Sequence, residues 1–248
     1  MRHHLIAAFA CAVVLAAGDA AAQTDAWGDN GFVSFNGVYQ SSSTTFKTTS
    51  TIDKNHEQGE LSTTHSILPG PVYDISAGGR IKGNLGIGYA ASYFRRTEVG
   101  EISGGVPHPF YFNQPRAISG QSNLRREDLA IHLHAMWLVP VTESFQVALF
   151  GGPTYFRVTQ QMVQNVEIAE EYPYDEVQLT SATTTQEHGS KVGMNAGVDL
   201  SWFFSEHVGV AGIVRYSRAV VSLPSTSGSP TSIEAGGLHP GAGIRVRF

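Results

Sequence analysis

The sequence predicts an all-β chain closed into an eight-stranded antiparallel up-and-down transmembrane β-barrel, with short turns at one end and long loops at the other. Three observations carry that expectation. Apolar residues recur at every second position in segment after segment, the period of a strand with one greasy and one wet face. The connections between these segments alternate long and short. Aromatic residues gather at both ends of the apolar faces, where membrane–water boundaries hold them.

Composition agrees. Only 15% of the 248 residues are charged, below the ~25% typical of soluble domains, with 27 glycines and a formal net charge of −5. Net negative charge without a basic stripe argues against nucleic acid as a partner. Past residue 20 no run approaches the ~18 apolar residues of a membrane-spanning helix. Residues 1–22 read as a secretion signal: Arg2 at the polar end, Leu5 to Ala17 as the apolar core, Ala20 to Ala22 as small residues for cleavage. The competing reading, a membrane anchor, needs a longer apolar run. The single cysteine, Cys11, lies inside this segment, so the remainder has no thiol for disulfides, metal sites or nucleophilic chemistry. Residues 23–30 read as a polar periplasmic lead-in, and 31–248 as the barrel.

The first strand begins near Gly31, with Val33, Phe35, Gly37 and Tyr39 on one face. Residues 42–65, rich in Ser and Thr, read as a long polar loop or a strand extension. The second strand returns through Tyr73, Ile75 and Ala77, and Gly79 to Gly83 reads as a tight turn. The third alternates Leu85, Ile87, Tyr89, Ala91 and Tyr93 against Gly86, Gly88, Ala90, Ser92 and Phe94. Residues 97–125, with Pro107, Pro109 and Pro115, read as a second long loop. The fourth strand sets Leu129, Ile131, Leu133, Ala135 and Trp137 against Asp128, Ala130, His132, His134 and Met136, and 140–144 turns the chain. The fifth runs from Phe145 to Phe156; Pro153 within it implies a bulge or a local loss of pairing. Residues 160–190 read as a third, acidic loop. The sixth strand, Lys191 to Phe204, turns at Ser205-Glu206-His207 into the seventh, Val208 to Ser217. A Ser/Pro/Gly-rich loop, 222–236, leads into the closing strand, where Leu238, Pro240, Ala242, Ile244, Val246 and Phe248 alternate with His239, Gly241, Gly243, Arg245 and Arg247.

The apolar faces are expected to meet hydrocarbon. Tyr39, Tyr93, Tyr155 and Tyr216 close the upward strands as one aromatic belt; Trp137, Phe145, Trp202, Phe204 and Phe248 form the other. Ten steps separate Phe145 from Tyr155, roughly 25 Å of height at ~3.3 Å per residue and ~40° tilt. A soluble barrel would need its greasy face inside and a skin almost without Lys and Glu. Three triplets, Tyr93-Phe94-Arg95, Tyr155-Phe156-Arg157 and Tyr216-Ser217-Arg218, put Arg95, Arg157 and Arg218 one step above the belt. These guanidinium groups either contact phosphates of outer-leaflet lipopolysaccharide or simply reach for water.

The wet faces enclose mixed charge, among them Asp128, His132, His134, Asp199 and Arg215 as a lumen polar network; Asp199 and Arg215 are expected to meet across their hairpin. An eight-stranded barrel is only just wide enough for its own side chains, so paired charge should plug it. His132 and His134 share a face, but no third ligand is placed by spacing, and neither a metal nor a cofactor is expected. No Ser/His pair sits on a lipid-facing surface, which argues against an enzyme.

The signal, the eight alternating strands, the belts and the closing Gly243-Ile244-Arg245-Val246-Arg247-Phe248 together resemble the small bacterial outer-membrane β-barrel proteins of the OmpA-barrel, OmpX and OmpW type, without the peptidoglycan-binding domain of full-length OmpA proteins. The resemblance implies residence in the outer membrane and reading of Ile244, Val246 and Phe248 by the barrel-insertion machinery. It implies a structural or surface-interaction role through the loops. A narrow channel for small solutes is the alternative, and a lipid-modifying enzyme the outside one.

Overall fold

A computed structural model describes residues 31–224 and 230–248, so the expected signal and lead-in lie outside the described residues. It contains ten strands: β1 (Gly31–Gln40), β2 (Thr44–Lys54), β3 (Glu57–Ile67), β4 (Gly70–Lys82), β5 (Leu85–Val106), β6 (Arg116–Pro140), β7 (Phe145–Glu170), β8 (Val177–Phe203), β9 (Val208–Leu223) and β10 (Thr231–Arg247). Eight of them close a ring in the order β1-β4-β5-β6-β7-β8-β9-β10, every pairing antiparallel. The last residue completes the seam: Gly31 N donates to Phe248 O at 2.9 Å, and Phe248 N to Gly31 O at 3.0 Å. A closed ring leaves no unpaired strand edge in hydrocarbon, where each unmet backbone group costs several kcal/mol.

Several connections differ from expectation. β4 runs on to Lys82 past an irregularity at Ile81, so the turn is only Gly83-Asn84, with Gly83 at φ +56°. The second and third long loops are mostly strand. β5 and β6 pair up to Val106 and Arg116, leaving 107–115, and β7 and β8 pair up to Glu170 and Val177, leaving 171–176. In the first loop, β2 and β3 form a hairpin in unbroken register about Asn55-His56, both at positive φ (55° and 62°), as a two-residue type I′ turn requires. β3 then pairs with β5 through Leu61–Gly104 to Thr64–Glu101. The last loop is also shorter than expected, because β9 extends to Leu223 and β10 starts at Thr231. Pro153 behaves as its chemistry demands: β7 keeps its ladder to β8 there, while the ladder to β6 is interrupted at Gly152 and Pro153. Gly152 is needed at that break, since a Cβ would lie 2.2 Å from Leu133 O.

β7 and β8 have 26 and 27 residues, against the ~9–11 that cross a bilayer. The surplus stands above it, and there the polarity of the wall inverts. On β5 the outward residues are Leu85, Ile87, Tyr89 and Tyr93, all exposed; above them come Arg95, Thr97 and Glu101. The inward residues change the opposite way, from Gly86, Gly88 and Ser92 to Ile102 and Val106, which are 1% and 0% exposed. On β6 the same switch separates inward His132 and Asp128 from inward Leu124 and Ile118. The lower wall is a membrane barrel and the upper wall a water-soluble one. The upper core joins Ile52, Leu61, Ile102, Ile118 and Leu124 of the β2-β3-β5-β6 sheet to Val163, Val166 and Val177 of the β7–β8 hairpin.

The β2–β3 hairpin is anchored above the membrane by His65, 1% exposed, hydrogen-bonded to Thr48 at 2.9 Å and stacked on Phe46 with ring centroids 4.5 Å apart. Burial pushes its pKa down to about 4 from 6.5. The folded hairpin therefore prefers neutral His65, while the opened chain takes the proton more readily. Stability is complete above pH 6.5, falls as pH drops, and levels off below about pH 4, a loss of about 3 kcal/mol in all. Hydrogen exchange of residues 44–67, corrected for intrinsic rates, should quicken over that range in the wild type and not in His65→Phe.

Candidate functional site: the lumen and the extracellular apex

Two places gather chemistry, the lumen of the spanning segment and the three tips at the far end. In the lumen, period-two alternation turns one residue in two inward from every strand, and the polar ones meet as three separate groups. The first is centred on Asp74 of β4. Arg215 Nη2 donates to Asp74 Oδ2 at 2.7 Å, Asn36 Nδ2 to Oδ1 at 2.9 Å, and Ser92 Oγ to Oδ2 at 2.8 Å. Ser92 also accepts from Arg215 Nη1 at 2.9 Å. Its one proton goes to the carboxylate, so His132 Nε2, 3.0 Å away, must donate to Ser92. His132 Nδ1 then accepts from Thr154 Oγ1 at 2.8 Å, and Thr154 accepts from Asn195 Nδ2 at 2.8 Å. The result is a directed chain of donors running from Asn195 on β8 to Asp74.

The second group is centred on Asp199 of β8. Arg245 reaches it from the closing strand with two parallel bonds of 2.6 Å, donates through Nε to Ser34 at 2.7 Å, also bonds Ser201, and lies over the Phe32 ring at 4.1 Å. The third is Arg126, 1% exposed, which clasps Asp128 at 2.9–3.1 Å and donates to Glu234 O at 2.9 Å. Asp199 and Arg215 therefore do not meet: the register sets Asp199 opposite Ile213 and Arg215 opposite Gly197, and each finds its partner across the lumen instead. Nor do Asp128, His132, His134, Asp199 and Arg215 form one network. His134 packs against Phe150, ring centroids 4.5 Å apart. Arg126, Ser92 and Asn36, which complete these groups, were not singled out by the sequence; only their inward parity marked them.

The belt tyrosines Tyr39, Tyr93, Tyr155 and Tyr216 face outward, 37–50% exposed. So do Ile244, Val246 and Phe248 on the closing strand. Above the belt, Arg95 lies 3.5 Å from Glu127, with Arg125 3.6 Å from the same carboxylate, and Arg218 is paired with Glu234. Arg157 stands opposite Leu129 with no ion pair among the described residues.

The apex is the feature that sequence reasoning missed. Three tips meet there, 53–58, 107–115 and 170–176. Arg116, 6% exposed, fastens them: it donates to Pro107 O at 2.9 Å and Tyr174 O at 3.0 Å and is bonded to Glu170. Asn55 donates to Pro107 O at 3.1 Å, and Asn113 N to Glu57 at 3.0 Å. Lys54 approaches Glu170 at 3.5 Å. Burial works against the charged form of Glu170, but the hydrogen bond and charge of Arg116, with Lys54 beside it, hold its pKa below the usual carboxylate value. On this braced base Phe110, Tyr111, Phe112 and Tyr172 are 68%, 56%, 73% and 81% exposed. The legible sign was Phe110-Tyr111-Phe112, consecutive aromatics in a proline-flanked segment where a solvated loop should be polar.

Neither a protein-family model nor a curated protein matches the chain. Among solved structures, the outer membrane protein OprG of Pseudomonas aeruginosa is 9% identical over 89% of this chain and 96% of its own, with a TM-score of 0.46. Neisserial surface protein A is 12% identical over 88% and 97%, TM-score 0.41, and the outer membrane protease OmpT of Escherichia coli 10% over 91% and 98%, TM-score 0.42. The architecture itself stands on the closed ring: an even number of antiparallel strands, aromatic girdles, an apolar outer band and one end far longer than the other, the outer-membrane type of barrel.

Proposed function

We propose that this protein is an outer-membrane barrel with a plugged lumen that acts through its extracellular end, as a structural or surface-interaction protein. The carrying observation is that buried charge inside the barrel is paired, Arg215 with Asp74, Arg245 with Asp199 and Arg126 with Asp128, and that the last pair lies within a packed apolar layer that includes Phe156, Met162, Val221, Leu223 and Ile233. Charges held this way in a narrow space brace the wall rather than offer a path. Refolded protein in planar bilayers should show no discrete conductance steps; steady single-channel openings would overturn the proposal. The second reading, a narrow path for small solutes, is favoured by buried lumen atoms without a protein partner, Asn36 Oδ1, His134 Nε2 and Asn195 Oδ1.

Catalysis is not part of the proposal. Ser92, His132 and Asp74 have the residue types of a nucleophile, base and acid, but Asp74 bonds Ser92 and not His132 Nδ1, whose partner is Thr154. Lipid A of unchanged mass on overexpression is the matching expectation. Arg95, Arg157 and Arg218 are exposed one step past the belt tyrosines, and we assign to them contact with outer-leaflet lipid phosphates, with lipopolysaccharide as the lipid. Ile244, Val246 and Phe248 are assigned to recognition by the insertion machinery during assembly.

A further inference from the structure

We propose that the apex is a docking surface for a lysine- and arginine-rich polypeptide segment; this deepens the surface-interaction reading above and rests on it. Exposed aromatic rings in such number are unusual on a water-facing surface and mark an interaction site. Here they are also held in place. Phe110 meets Tyr174 edge-on at 5.6 Å and 74°, Tyr174 meets Tyr172 at 6.2 Å and 87°, and Tyr111 leans on buried His108 at 4.7 Å. Phe110 N donates to His108 Nδ1 at 3.0 Å, and Arg116 locks the base. The surface is thus formed before its partner arrives, which reduces the ordering that binding must otherwise impose.

Charge selects the partner. The three tips and Arg116 carry six carboxylates, Asp53, Glu57, Glu170, Glu171, Asp175 and Glu176, against two cations, Lys54 and Arg116. Both cations are spent on Glu170. Four of the other carboxylates, Asp53, Glu171, Asp175 and Glu176, are exposed, and Glu171, Asp175 and Glu176 line a cleft of about 530 Å³ walled by Tyr172. Rings that meet at near right angles, with carboxylates at their margin, suit a guanidinium or ammonium group, which stacks on one and pairs with the other. The same carboxylates repel an anionic membrane, so aromatic insertion into lipid is disfavoured. A basic polypeptide satisfies both features.

The test uses the whole protein in nanodiscs of zwitterionic lipid and a fluorescent peptide of alternating Arg and Ser. Binding should be salt-sensitive and weaken at least tenfold in F110S/Y111S/F112S/Y172S and in E171Q/D175N/E176Q. The carboxylate set is nearly isosteric and exposed, so it tests the proposal even where the aromatic set fails to fold. Heat-modifiable gel mobility reports folding of both. Affinity unchanged in the carboxylate set overturns the proposal, as does loss there without loss in a folded aromatic set, which means bulk electrostatics alone. Equal binding of a Glu/Ser peptide, or capture of the wild type but not the aromatic set by phosphatidylcholine vesicles, also overturns it. A protein that does not conduct and does not bind the Arg/Ser peptide loses this partner while keeping the surface reading. One that conducts loses the surface reading itself.

Discussion

Arg245→Met should destabilise the barrel by roughly 3–5 kcal/mol, and adding Asp199→Leu should recover most of that loss. Arg245 and Asp199 are each about 4% exposed and share two bonds of 2.6 Å. Removing the arginine leaves a carboxylate enclosed without its counter-charge, and Ser34 and Ser201 lose a donor with it. Removing both partners takes away the uncompensated charge and returns apolar volume beside Phe32, which the guanidinium now covers. Because Arg245 lies on the closing strand and bonds to β1 and β8, the single variant should also unfold faster from the seam. Urea unfolding of the single and double variants in lipid vesicles measures this. A double variant as unstable as the single one would mean that the pair is not what braces the lumen.

The second large effect concerns two residues alike in exposure and different in medium. Leu133 is 49% and Val99 48% exposed, both on the outward face. Leu133 lies midway along the spanning part of β6, opposite Tyr89, whereas Val99 lies past Arg95 on the upper part of β5, opposite Asn123. Leu133→Arg should cost ~2–4 kcal/mol, the price of a cation at mid-bilayer. Val99→Arg should stay within ~0.5 kcal/mol, as at any watery surface. Unfolding in vesicles of the two variants gives the comparison directly. Equal costs would place the hydrocarbon boundary elsewhere than at the Tyr–Arg triplets.

The same boundary explains what could and could not be read from the chain. Below it, a rule of apolar outward and small or polar inward finds the strands, and Phe35, Ile87, Leu133 and Val210 do face out. Above it the period of two persists, but its phase is reversed. Ile102, Val106, Ile118 and Leu124 continue the inward parity of Ser92 and His132. Sought with the phase of the membrane part, these segments read as polar loops, and 97–125 and 160–190 were so expected. The β2–β3 hairpin hid for a related reason: Thr48, Ser50 and Thr63 are buried, so its wet residues are not all on its wet face. The Thr-rich composition and the Asn55-His56 turn were its signs.

Lumen partners were hidden more deeply. Parity alone places Asp199, Arg215 and Arg245 inside, because side-chain direction alternates along any strand. Which acid meets which base depends on how far each strand is staggered against its neighbours. Asp199 and Arg215 are near in sequence yet bind Arg245 and Asp74, from strands far along the chain.

By itself the sequence determined the spanning barrel, its strand count, its aromatic girdles and which residues turn inward, since alternation and transfer free energy are local properties of each segment. Only the tertiary structure decided the lumen pairings, the soluble upper wall and the braced aromatic apex. These depend on strand stagger and on loops meeting in space, as Arg116 meets Pro107, Glu170 and Tyr174, and no period within one segment encodes such meetings.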